Sequence, residues 1–221
     1  MSTRTLQSII PSLETSDGAG VKLRRSIGRN PQQRLDPFLM LDEFGTENPD
    51  DYIGGFPPHP HRGFETVTYM LDGHMRHEDH LGNIGELESG GVQWMRAGRG
   101  VIHSEMPMQD QGRMRGFQLW INLAGRDKMS PASYRDVPQA QIPTAALPGG
   151  GRVKVIAGRV EVNGHRIAGP INSEAGEMAT DPLYLDVHLN AGASFGQPLQ
   201  VGHNAFAYLY EGELAIGQAD A

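Results

Sequence analysis

The sequence predicts an all-β protein made of two related β-barrels. Glycine and proline are abundant, with 29 and 15 residues among 221, and because both interrupt helices they favour short strands joined by tight turns. Most apolar segments alternate with polar residues, which is the two-residue period of a strand. Since no segment shows the pattern of an amphipathic helix, a β-sandwich or β-barrel architecture is expected.

The first half is predicted to contain five clear strands, each marked by alternation or by β-branched and aromatic residues. The third of them stops at Asp72-Gly73, a dipeptide typical of hairpin turns. After Ala124 the pattern loosens, and four prolines are followed by three consecutive glycines at 149–151. We interpret residues 136–150 as the connection between two domains. The strands expected before it cover residues 21–27, 38–42, 64–71, 91–96 and 116–123.

The second half is predicted to repeat the first loosely. Strands are expected at residues 152–157, 183–189 and 204–210, and the last of these ends in Tyr-Glu-Gly much as the earlier strand ends in Leu-Asp-Gly. The similarity suggests two related barrels. The predicted domains are therefore residues 1–135 and residues 151–221.

Composition and charge exclude several classes of function. The formal net charge is −7, whereas proteins that bind nucleic acid directly usually carry a basic surplus, so no direct nucleic-acid partner is expected. No apolar run approaches the ~20 residues of a membrane helix, and the N-terminus lacks the apolar region of a signal peptide. A cytoplasmic protein is therefore expected. The absence of cysteine excludes disulfides, thiolate metal sites and a cysteine nucleophile.

Two short pairs of residues carry the chemistry of metal binding. His59 and His61 form one pair, and His103 and Glu105 form the other. Side chains two residues apart on an extended segment point to the same face, so two such pairs on neighbouring strands would surround one point. Three imidazoles and a carboxylate suit a divalent transition metal and suit Mg²⁺ or Ca²⁺ poorly. Four protein ligands on an octahedral ion would leave two coordination positions open.

Other residues near these pairs have plainer explanations. An isolated His-x-His is often a pair of surface histidines, and the cluster of His74 with residues 77–80 is interpreted as a solvated strand and loop. Arg62 is equally compatible with steering an anionic substrate and with pairing an acidic neighbour. The second half has no His-x-His pair and is expected to bind no metal. Trp94, Trp120 and Phe64 are interpreted as core or pocket wall.

Two ordered segments surround the predicted ligand pairs. Residues 55–69 read GFPPHPHRGFETVTY and residues 93–107 read QWMRAGRGVIHSEMP, and they resemble the two cupin motifs of the pirin family. Residues 36–44 and 116–123 are similar to its other well-kept segments. The resemblance extends along nearly the whole chain and is strongest from residue 36 to residue 134.

The resemblance implies a bicupin fold, with two jelly-roll barrels and one metal ion in the first of them. The family's metal ligands fall on His59, His61, His103 and Glu105. Members of the family are associated with iron, so Fe(II) is expected, with Zn, Cu, Ni or Mn as alternatives. Glu65 follows the first pair where general cupins place a ligand, but the family pattern assigns that role to Glu105, so Glu65 is interpreted as structural.

The function implied is that of a metal-dependent dioxygenase that cleaves flavonols such as quercetin with dioxygen. Glu105 is the expected catalytic residue, taking the proton of the substrate's 3-hydroxyl. The alternative is a metal-containing regulatory protein that binds a protein partner, since the human member is known as a transcription co-regulator. Either a monomer or a dimer is compatible with the sequence.

The chain departs from the family pattern near its end. The family normally continues well beyond the segment similar to residues 208–213, whereas this sequence stops at Ala221. The second barrel is therefore expected to be incomplete, and residues 1–12 are expected to pair with it.

Overall fold

The computed structural model describes residues 3–30, 34–171 and 180–217, and the regular structure in these ranges is almost entirely β-strand. Two single-turn 3-10 helices, Pro49–Asp51 and Gln139–Gln141, are the exceptions. The predicted all-β class is confirmed. The strands are β1 (Leu13–Asp17), β2 (Val21–Arg25), β3 (Phe38–Thr46), β4 (Phe56–His61), β5 (Phe64–Asp72), β6 (His74–Asp79), β7 (Ile84–Glu88), β8 (Val92–Arg96), β9 (Val101–Pro107), β10 (Met114–Asn122), β11 (Ser133–Val137), β12 (Thr144–Ala146), β13 (Gly151–Ala157), β14 (Arg159–Val162), β15 (His165–Ala168) and β16 (Tyr184–Leu189).

The first half folds into two antiparallel sheets. A seven-stranded sheet has the order β1-β2-β3-β10-β5-β8-β11, and a four-stranded sheet has the order β4-β9-β6-β7. Met70 of β5, Met75 of β6 and Leu87 of β7 belong to one buried cluster, so the two sheets face each other across a shared interior. The four-stranded sheet carries both predicted ligand pairs.

The inner strands of the seven-stranded sheet, β10, β5 and β8, are largely buried on both of their faces. On β5, Val67 and Tyr69 alternate with Thr66 and Thr68, and all four are buried. Val67 and Tyr69 belong to a cluster that includes Ile156 of the second half. Because the sheet lies between the interior of the first half and the second half, β5 has the continuous burial expected of a central strand.

The second half forms two smaller sheets, one of three strands in the order β12-β13-β16 and one hairpin of β14 with β15. Their side chains enclose a separate apolar cluster around Val153 and Val155. Both sheets are open at their edges. β11 pairs with β8 of the first half and β12 pairs with β13, so the interval 136–150 contains the end of one sheet and the start of another. The proposed domain division stays a prediction.

Residues 204–210 form no strand, and that prediction was wrong. The segment is held by its side chains and contacts both halves: the Tyr208 hydroxyl donates to Glu43 of β3 and the Tyr210 hydroxyl donates to Asp186 of β16. The Phe206 ring meets Phe38 edge-on with centroids 4.8 Å apart. The apolar alternation of this segment therefore reflects side-chain packing rather than a backbone ladder.

The N-terminal residues 3–12 also lack a strand. The segment reaches the C-terminal part of the chain through Arg4, whose guanidinium donates to the carbonyl oxygens of Gln200 and His203. Leu6 and Ile9 are exposed. The expected strand pairing of this segment with the second half is absent from residues 3–12. Within the described ranges, no helix has the length and apolar character needed to cross a membrane.

Candidate metal centre

Two neighbouring strands bring the three predicted histidine ligands together. β4 and β9 pair antiparallel, with His59 opposite His103 and His61 opposite Val101. All three imidazoles point to one face of the four-stranded sheet, as the spacing of two residues requires. His61 and His103 are buried, whereas His59 is half-buried at the rim.

The ligand nitrogens of these histidines converge. One nitrogen from each ring lies within 4.8 Å of the other two, and the Nε2 atoms of His59 and His61 are 3.0 Å apart. His59 Nδ1 lies 2.8 Å from the Pro57 carbonyl oxygen. A carbonyl only accepts, so His59 Nδ1 carries a proton and its Nε2 presents a lone pair toward His61. A cation between these nitrogens would satisfy both.

Burial sets the protonation state of the two inner imidazoles. Desolvation is the main cause that lowers the pKa of His61 to about 4, and the neighbouring His59 acts in the same direction. Desolvation and the neighbouring His61 and His59 also lower the pKa of His103 well below its ordinary value. Both rings are therefore neutral at pH 7, which is the form in which histidine binds a metal. His103 Nε2 is buried and has no hydrogen-bond partner among the described residues.

Glu105, the fourth predicted ligand, lies beside the triad rather than inside it. Its Oε2 is 4.0 Å from His103 Nε2, and its Oε1 accepts a hydrogen bond from the Thr68 hydroxyl at 3.1 Å. Thr68 reaches across from β5 of the opposite sheet and also lies 2.6 Å from the Gln118 side-chain oxygen. Burial raises the pKa of the Glu105 carboxyl group, although the nearby His59 and the Thr68 hydrogen bond act in the opposite direction.

Aromatic rings form one wall of the centre. Phe64 and Trp120 lie with ring centroids 4.6 Å apart, and each is 5.1 Å from His61. Trp94 is different, because it packs in the cluster between the seven-stranded sheet and the second half. The wall beside the triad is thus aromatic.

Two neighbouring charged residues lie outside the group of ligands. Glu65 is fully buried on the β5 face that carries Val67, and its carboxylate pairs with Arg96 at 3.1 Å. Arg62 is exposed, with its guanidinium 3.3 Å from the Met129 sulfur.

His77 is the functional candidate that sequence reasoning missed. The sequence predicts a solvated strand and loop here, yet His77 is 3% exposed and its Nδ1 lies 3.1 Å from His103 Nδ1. His74 and His80 do lie toward solvent. The signal was present in the sequence, because His77 is two residues from Met75 and therefore shares its buried face of β6.

Comparison with known proteins places this chain in a family. The family model described as Pirin matches residues 20–121. A protein of Pseudomonas aeruginosa that is provisionally named a quercetin 2,3-dioxygenase is 54% identical over 201 residues, which cover 91% of this chain and 69% of that protein. The human protein named Pirin is 42% identical over 221 residues, covering 100% of this chain and 71% of its own length.

A solved structure supports the same relationship. The crystal structure of a quercetin 2,3-dioxygenase from Acinetobacter baumannii superposes with a TM-score of 0.68 at 32% identity, covering 78% of this chain and 61% of that one. This chain therefore spans about three fifths of that structure's length. The expected bicupin relationship is confirmed, with sheets that remain open in the described residues.

Proposed function

The chain belongs to the pirin family, and from that premise we propose that it is a metal-dependent dioxygenase that cleaves flavonols such as quercetin with dioxygen. The observation that carries the proposal is the convergence of three histidine nitrogens to within 4.8 Å, with the Glu105 carboxylate beside them. Relatives and a structural neighbour that bear the name quercetin 2,3-dioxygenase give the reaction class.

The residues fit a divalent transition metal. His59, His61 and His103 would hold the ion, and Glu105, whose Oε2 lies 4.0 Å from His103 Nε2, would be the fourth ligand. Imidazole and carboxylate ligands suit iron, with zinc, copper, nickel and manganese as alternatives. When bound, such an ion acts as a Lewis acid that favours the deprotonated form of the substrate's 3-hydroxyl and leaves positions open for small ligands.

We assign to Glu105 the role of taking the proton of that hydroxyl. The Thr68 hydroxyl donates to Oε1, so Oε2 is the oxygen that would accept this proton, either while Glu105 is a ligand of the ion or after it has moved away. Burial raises the pKa of this carboxyl group, so it holds a proton more strongly than an exposed glutamate does, which is the direction that favours a general base.

The aromatic wall suits a flat substrate. The Phe64 and Trp120 rings meet His61 in edge-on contacts, and the fused rings of a flavonol can pack against such aromatic side chains in offset or edge-to-face geometry. The half-buried His59 marks the side of the site that is open to solvent.

The direct test is oxygen uptake with quercetin, measured on the purified chain before and after loading with Fe(II), with bound metal quantified by elemental analysis on the same sample. Turnover that depends on the metal is expected. A fully loaded chain that consumes no oxygen would contradict the proposal and favour the alternative, a metal-containing protein that regulates a protein partner.

A further inference from the structure

His77 lies directly behind one of the proposed ligands. It occupies β6, where it pairs with Glu105 of β9 and faces the same interior. Its Nδ1 is 3.1 Å from His103 Nδ1, with ring centroids 4.8 Å apart. Both side chains are almost completely buried, so water does not compete for this contact.

The direction of the hydrogen bond between His77 and His103 determines which nitrogen of His103 carries the proton. A neutral imidazole carries a proton on one nitrogen and a lone pair on the other. If His77 donates from Nδ1, then His103 must accept at Nδ1, and its own proton is on Nε2. If His103 donates, its Nε2 carries a lone pair and His77 has its proton on Nε2. Only the second arrangement allows His103 Nε2 to bind a metal.

We propose that His77 is a positioning residue that accepts the Nδ1 proton of His103 and thereby holds His103 with its Nε2 lone pair directed at the metal. The inference rests on the proposed metal centre. Metal-binding histidines generally donate their second ring N–H to an acceptor that fixes the tautomer and the ring orientation, and here that acceptor is a second imidazole.

The surroundings of His77 keep it in place for this role. The Tyr134 ring meets it edge-on at 4.7 Å, and the Tyr134 hydroxyl donates to Asp79, on the same strand, at 2.6 Å. His77 Nε2 is buried without a hydrogen-bond partner among the described residues. Among the described residues, the hydrogen bond of the His77 ring is therefore the one with His103.

Two substitutions separate positioning from simple packing. His77→Phe keeps an aromatic ring against Tyr134 and removes the acceptor. His77→Asn loses the ring but can place its amide oxygen close to the position of Nδ1. A residue that only fills space would be replaced better by Phe, whereas a hydrogen-bond acceptor would be replaced better by Asn. His74→Phe, on the solvent side of the same strand, is the matched control.

The experiment measures Zn(II) affinity by chelator competition for the wild type and the three variants. We expect His77→Phe to bind Zn(II) about 10–100-fold more weakly, as is typical for loss of an outer hydrogen bond to a ligand. His77→Asn should recover most of that loss, and His74→Phe should match the wild type. Equal affinities for the wild type and His77→Phe, or better binding by Phe than by Asn, would overturn the role of His77.

A second measurement uses the unaltered protein and so does not depend on how the variants fold. Long-range ¹H–¹⁵N NMR spectra of the Zn(II)-loaded chain report the tautomer of each histidine. The proposal requires a protonated Nε2 and an unprotonated Nδ1 on His77, and finding the reverse would overturn it. A wild type that binds no metal would contradict the metal centre itself, while normal metal binding without quercetin turnover would contradict only the proposed reaction.

Discussion

The imidazoles of His61 and His103 point into the interior of the first half, where they contribute nitrogen atoms rather than apolar contacts. We predict that His61→Ala or His103→Ala weakens metal binding by more than about 100-fold, beyond the effect usual for outer residues. Both variants should remain folded, because the apolar clusters of both halves do not include these rings.

Elemental analysis after loading, with circular dichroism as the folding check, measures this prediction. The matched control is His165→Ala, since His165 is exposed on the hairpin of β14 and β15. Full metal occupancy in both ligand variants would rule out the assignment of His61 and His103.

Glu105 should matter more for turnover than for metal binding. Glu105→Gln keeps the size of the side chain and an oxygen that can accept from Thr68, but it removes the basic carboxylate. We expect quercetin turnover to fall by about 10²–10⁴-fold, the usual contribution of a general base, while the three histidines retain part of the metal. Steady-state oxygen uptake at equal metal content checks this, and unchanged turnover would exclude Glu105 as the base.

The stability of the metal-free protein should depend on pH through His61. Its pKa is about 4 in the folded chain, against an ordinary value of 6.5, so between these values the unfolded chain binds more protons. Stability is therefore lost as the pH falls from 6.5 toward 4, by on the order of 3 kcal/mol if the whole shift is realised.

Carboxylates titrate in part of the same pH range, so the contribution of His61 is obtained as the difference between the pH dependence of the wild type and that of a variant without this imidazole. His61→Gln cannot take up this proton, and its unfolding midpoint in urea should change less between pH 7 and pH 5 than that of the wild type. Parallel pH profiles for the two proteins would contradict the prediction.

At the scale of strands, a buried carboxylate links the two halves. Asp186 of β16 is 4% exposed and accepts hydrogen bonds from Tyr69 of β5 and from Tyr210, each at 2.7 Å. We predict that Tyr69→Phe destabilises the protein by about 1.5–3 kcal/mol, the range for a hydrogen bond to a charged group. Tyr184→Phe is the control, because the Tyr184 ring packs on Tyr69 without a hydrogen bond to Asp186. Equal urea midpoints for the two variants would contradict this role of Asp186.

Sequence patterns predict some of these strands and miss others. Strands β2, β3, β5, β8, β10, β13 and β16 lie where alternation or β-branched residues predicted them. β6 was expected only as part of a solvated strand and loop, and β7 was missed because it is five residues long and exposes alternate side chains, Ile84 among them. Residues 204–210 have a strand-like sequence but no ladder, since the presence of a partner strand is a property of the whole fold.

For the candidate metal centre, too, some features are predictable from local sequence and others depend on the whole fold. His59, His61, His103 and Glu105 can be proposed as ligands from the sequence because each pair is local, with a spacing that fixes a common face. That Glu105 is bonded to Thr68, and that His77 contacts His103, depends on which strands lie opposite one another. Such pairings join residues 26 to 37 positions apart in the chain, and a local pattern does not report them.

At the scale of the molecule, the two halves should differ in local stability. β5, β8 and β10 are inner strands of the seven-stranded sheet and are covered on both faces, whereas residues 195–210 have no strand and are held by side chains. Amides exchange slowly where their hydrogen bonds open only on global unfolding. We therefore predict that amides of β5, β8 and β10 exchange slowest and those of residues 195–210 much faster.

Hydrogen exchange followed by mass spectrometry on a dilute sample tests this prediction, with several protein concentrations to detect association. β13 is the internal reference, because it lies in the second half and yet buries Val153, Val155 and Ile156 completely. If fast exchange were general to the second half, β13 would exchange as quickly as residues 195–210. If it instead follows from the missing ladder, β13 will be protected and the C-terminal segment will not. Protection of residues 195–210 equal to that of β10, at every concentration, would show that backbone hydrogen bonds close this part of the molecule in solution and would contradict the prediction.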